Sequence, residues 1–154
     1  MWKTWVSPLV YIVLLNASFM TVTICLHELG HFFLGLELGC SWGRIILIDS
    51  KNFHTYTELE CTNVSKRLLA LGAFIFVVPF AFLFLILKIP ERNFCWTILG
   101  LGLFSGGVDL VEIFKLPFLY HFSIIMGIGL ICFAELRLSD KILLKTYLTR
   151  ARKY

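Results

Sequence analysis

Residues 8–38 hold no lysine or arginine and only two carboxylates, Glu28 and Glu37, and this apolar length constrains the chain more than any other feature in it. As one helix the stretch would measure about 46 Å, against a hydrocarbon core of about 30 Å. It must therefore tilt, or begin in the interface, where Trp2 and Trp5 are suited to sit. Further apolar runs over residues 66–88, 93–114 and 117–136 are each long enough for one crossing. With 58% hydrophobic and only 16% charged residues, and a mean hydropathy of +0.84, the chain lies outside the range of a soluble domain of its size. The reading is an all-α, multi-pass integral membrane protein of about four transmembrane helices. Residues 1–136 form a single domain and residues 137–154 a basic tail. The first run is too long for a cleavable signal and reads as a working helix that also anchors. Pro79, near the middle of the second run, predicts a kink.

Residues 40–65 are of different character, with Arg44, Asp49, Lys51, His54, Glu58 and Glu60 among β-branched and aromatic residues. Two short strands, 44–48 and 54–60, joined by the turn-like Asp49-Ser50-Lys51-Asn52, would make a β-hairpin between the first and second spans. Such a hairpin offers an edge to which an extended peptide can add as a further strand. A plain connecting loop suits the same residues. His54 reads as a polar loop residue. The five cysteines, Cys25, Cys40, Cys61, Cys95 and Cys132, show no C-x-x-C pair, and no disulfide framework is expected. Cys25 reads as a small buried hydrophobe.

Within the first run stands His27-Glu28-Leu29-Gly30-His31. Residues four apart share a helix face, so both imidazoles can aim at one metal ion. Glu28 follows about 100° round the helix, where its carboxylate can reach a water activated by the metal without being a ligand. Ionisable groups at mid-membrane cost at least about 2.5–3.5 kcal/mol each on insertion scales, and a divalent cation would compensate such a cluster. Histidines that only hydrogen-bond neighbouring helices are the blander alternative. They leave Glu28 unexplained. Two histidines leave a catalytic zinc one protein ligand short, and carboxylate is a common third choice. The third run supplies two, Asp109 and Glu112, after the glycines Gly106 and Gly107. Asp109 is the preferred ligand, being next to the glycine pair. Glu112 is the alternative ligand, or orients a histidine, or simply pairs with Lys115. His121 is a fallback.

At these residues the chain resembles the site-2 protease family of intramembrane zinc metalloproteases. The likeness covers roughly residues 10–115, and it implies that His27, His31 and Asp109 bind Zn2+ while Glu28 activates water. Here glycines precede Asp109 and Leu110 follows it, which departs from the family's usual aspartate motif and suggests a minimal or divergent member. The implied reaction is hydrolysis, without a covalent intermediate, of a peptide bond in or near a membrane-spanning substrate segment. The partners are then a membrane protein or peptide and the lipid bilayer, with no nucleic acid. Two rivals stand beside this reading: a catalytically silent metal-binding membrane protein, and a small immunity or transport-accessory protein.

Four crossings put both ends on one side. With the amino end cytoplasmic, Lys3, Lys88, Arg92 and six basic residues from Arg137 onward lie inside, nine of the fourteen cations. The family resemblance implies the reverse, with the far end of the first helix toward the cytoplasm.

Overall fold

The computed structural model describes residues 3–46, 55–87 and 93–151. Its elements follow the order α1 (Lys3–Glu37), β1 (Trp42–Ile46), β2 (Tyr56–Glu60), α2 (Lys66–Ile86), α3 (Phe94–Ser105), α4 (Gly107–Phe114) and α5 (Phe118–Ala151). Three helices are long and apolar enough to cross a membrane, and α3 with α4 makes a fourth if that bent pair is one span. The helices alternate in direction. Phe19 of α1 meets Phe84 of α2 while His31 meets Leu69, and Trp96 of α3 meets Phe133 of α5 while Gly107 of α4 lies against Ser123 and Tyr120. The hairpin and the α4–α5 junction therefore share one end of the bundle. The core is small: Val77, Ala81, Cys95 and Ile98, with Phe19, Phe80 and Phe84 around them. Long apolar side chains such as Val13, Leu14, Phe82, Phe122 and Ile125 instead point outward. An apolar exterior of this kind suits a lipid surround.

Small residues set the helix spacing. At the α1–α2 crossing a Cβ on Gly72 would sit 2.6 Å from the Gly30 carbonyl oxygen, so the two backbones touch with no room for a methyl group. Gly100 and Gly127 make a like contact between α3 and α5. α2 runs unbroken through Pro79.

α1 stops where its sequence supplies a residue free to take positive φ. Gly39, at φ +95°, donates to the Leu36 carbonyl and Cys40 donates to Gly35, the paired bonds of a Schellman cap. The chain then turns into an antiparallel hairpin in which Trp42 faces Glu60 and Ile46 faces Tyr56. Leu59 packs its side chain over Gly35 and Gly43, which docks the hairpin on the last turns of α1. Arg44 pairs with Glu58 across the strands at 2.6 Å. That exposed pair adds little stability.

Two expectations need correction. Cys40 and Cys61 form a disulfide, because the cap of α1 and the end of β2 bring their backbones together, a closeness that no local cysteine spacing signals. The strands lie at 42–46 and 56–60, so β1 starts two residues earlier and β2 two later than the alternation suggested; residues 47–54, with the turn and His54, lie outside the described residues. The third apolar run bends by 62° at Gly106. The basic tail carries α5 on as far as Ala151.

Candidate metal centre

The i,i+4 spacing on α1 stacks His27 and His31 on one face, with ring centroids 4.9 Å apart and planes at 78°. Asp109 arrives from the other side. The α3 helix ends at Gly106, and α4 restarts at Gly107 in a new direction, so Asp109 falls in the first turn of a short helix, where the amino-terminal dipole favours a carboxylate. Its Oδ2 lies 3.3 Å from His27 Nε2 and its Oδ1 lies 3.4 Å from His31 Nε2. One donor atom from each of the three residues falls within 4.8 Å of the others.

The outer ring nitrogens decide what these approaches mean. His31 Nδ1 is 2.8 Å from the Leu69 carbonyl oxygen of α2. A carbonyl can only accept, so Nδ1 carries a hydrogen; in the neutral ring Nε2 then turns a lone pair toward Asp109, and in the imidazolium it donates to that carboxylate. Ser105 repeats the arrangement for His27. Its hydroxyl donates to the Leu101 carbonyl at 2.9 Å, which leaves the oxygen to accept from His27 Nδ1 at 3.4 Å. With neutral rings, each Nε2 and the carboxylate oxygen nearest to it are acceptors 3.3–3.4 Å apart. Such a set is held either by a cation among the three residues or by protonation of the rings, which turns each approach into an ion pair. Zinc at about 2.0–2.1 Å from two tetrahedral ligands would hold them about 3.3–3.4 Å apart, which matches the two nitrogen–oxygen approaches, so the donor types and these spacings suit that ion. Outer partners of this kind, a carbonyl on one histidine and a hydroxyl on the other, fix tautomer and ring orientation in metal sites.

Glu28 is 6% exposed, and its Oε2 accepts from Thr57 Oγ1 of β2 at 2.7 Å. The same hydroxyl lies 3.1 Å from the Glu28 backbone oxygen. The hairpin thus holds the carboxylate that follows His27. A cleft of about 480 Å³ is lined by Thr57 together with His31, Tyr56, Leu59, Lys66 and Leu69.

The structure brings His27, His31 and Asp109 together and leaves the other candidates outside. Glu112, three residues on from Asp109, turns to an ion pair with Lys115, whose left-handed backbone closes α4. His121 is exposed and rests against Tyr120, and Cys25 is half-buried with a free thiol. The sequence reading missed three supporting groups: Thr57, the Leu69 carbonyl and the role of Ser105. Ser105 precedes Asp109 by four residues, a spacing that could have suggested it. Comparison of the chain with protein-family models, with curated proteins and with solved structures finds no match.

Proposed function

We propose that the chain is a multi-pass, intramembrane zinc metallopeptidase, a minimal or divergent relative of the site-2 proteases it resembles, with α3 and α4 as one broken span. The observation that carries this is the convergence of His27 Nε2, His31 Nε2 and Asp109, with both Nδ1 atoms engaged on outer partners, a donor set suited to a cation. A zinc ion held by these residues supplies Lewis acidity toward a carbonyl oxygen and toward water.

The remaining work falls to the chain. In this reading Glu28 takes a proton from the attacking water; Thr57 holds Oε2, which leaves Oε1 for that proton. As the C–N bond breaks, that proton passes to the departing amine, and the products are a carboxylate and an amine. A peptide bond inside a helix is shielded, because its carbonyl is already hydrogen-bonded and water is scarce. The substrate segment must unwind. β2 lines the cleft through Tyr56, Thr57 and Leu59, and an unwound segment entering there would lie along the hairpin.

The test uses the full chain purified in detergent. Metal analysis should give one zinc per chain in the wild type and in Glu112→Gln, and little in Asp109→Asn. Glu28→Gln should keep its zinc and cut a quenched single-span peptide about 10²–10⁴-fold more slowly. Zinc retained in Asp109→Asn would remove the ligand assignment. Unchanged cleavage by Glu28→Gln would remove the mechanism.

A further inference from the structure

The sequence left the two sides of the molecule unassigned, and the structure ties one of them to a redox chemistry. The hairpin end carries the Cys40–Cys61 disulfide, which joins the capped end of α1 to the end of β2. Cytosolic thiol systems keep such pairs reduced, whereas exported and exoplasmic segments retain them. The antiparallel contacts put the α4–α5 junction at this same end, since Gly107 lies against Ser123 and Tyr120 while Trp96, at the start of α3, meets Phe133. In sequence order, four crossings leave nine of the fourteen cations on the side of the amino terminus and residues 137–154, and five on the side of the segment between the first and second spans. Basic residues close to membrane spans collect on the cytoplasmic side. Disulfide and charge are independent observations, and they agree.

We propose that the hairpin end, with the cleft beside His31, faces the oxidising side of the membrane, and that the basic end of α5 lies in the cytoplasm. The orientation rests on the membrane-spanning reading above. It is the opposite of the one the family resemblance implies. His31 stands six residues before the end of α1, a depth of about 9 Å along the helix. Lys66, at the start of α2, and Thr57 of the hairpin line the same cleft as His31. In this orientation His31 is therefore approached from the exoplasmic side. Joined to the hydrolase reading, this names the substrate class: exported or membrane-anchored chains whose scissile segment enters from outside. Segments presented from the cytosol are excluded.

The orientation is read without any cleavage assay. In the full chain carrying Cys25→Ala, Cys95→Ala and Cys132→Ala, the two remaining thiols should resist a maleimide-polymer gel shift in acid-quenched cells and react after reductant. Shift without reductant would overturn the proposal. On that background Leu116→Cys, exposed at the α4–α5 junction, should take a membrane-impermeant maleimide in intact cells, and Asp140→Cys only after permeabilisation. The reverse pattern, or labelling of both in intact cells, would overturn it. Fusions of the unaltered chain after Tyr154 guard against misfolded variants: a fluorescent protein should shine and an alkaline phosphatase stay inactive, and an active phosphatase would sink the assignment. Zinc content of the same preparation tests the hydrolase reading separately. Zinc-free protein with these labelling results would leave the orientation standing and remove the protease.

Discussion

Each candidate ligand owes its aim to a neighbour whose identity the histidine pair does not reveal. His31 is steered by a backbone carbonyl, Leu69, and His27 by the hydroxyl of Ser105. Replacing Ser105 by Ala removes the acceptor from His27 Nδ1 and leaves the ligand set intact. Zinc affinity, measured by competition with a chelator, should fall about 10–100-fold, the usual cost of losing an orienting partner. The same measurement should find Glu112→Gln unchanged, because Glu112 is engaged with Lys115. His27 and His31 were legible because helical spacing alone puts them on one face. Leu69 was not, since any residue has a carbonyl and only the packing of α2 on α1 selects that one. Asp109 and Glu112 share a face on a continuous helix, so sequence could only rank them. The restart at Gly107 and the Lys115 partner separate them.

The helices are accounted for by apolar run length, and the interruptions by local chemistry that sequence exposes unevenly. Gly39 was readable as the stop of α1, because a glycine after an apolar helix is the ordinary cap. The bend at Gly106 was only suggested by the adjacent glycines. The hairpin register was hidden for a physical reason: four of the five β2 residues are half-buried, so the strand lies between α1 and the cleft and lacks the inside–outside alternation that marks an edge. Two elements carry tests. Gly72→Ala forces the α1–α2 crossing apart and should cost about 1–3 kcal/mol, read as a lower unfolding midpoint in detergent. Cys40→Ser opens a link that spans 21 residues and should lower stability by about 3 kcal/mol on the chain-entropy model. The loss should appear in hydrogen exchange of β1 and β2, with α3 and α5 little changed.

At the level of the whole molecule, the core is thin and the polar centre ties α1, α2, α3 and α4 together through His31, Leu69, Ser105 and Asp109. Removing zinc from a site of this kind removes the ion that joins the three side chains, so the bundle should melt at a lower temperature after chelation. Free zinc at about 100 times its Kd should restore about 2.7 kcal/mol, measured by thermal unfolding in detergent. A melting temperature indifferent to zinc would mean that the centre does not hold it. The Gly30–Gly72 touch has one more bearing on this centre. Gly30 is the second variable position of His-Glu-x-x-His, and in this chain that position is closed to every side chain. A methyl group there would lift α2 and draw the Leu69 oxygen off the His31 ring. The freedom that the two x positions nominally grant has here been surrendered to keep a ring in aim.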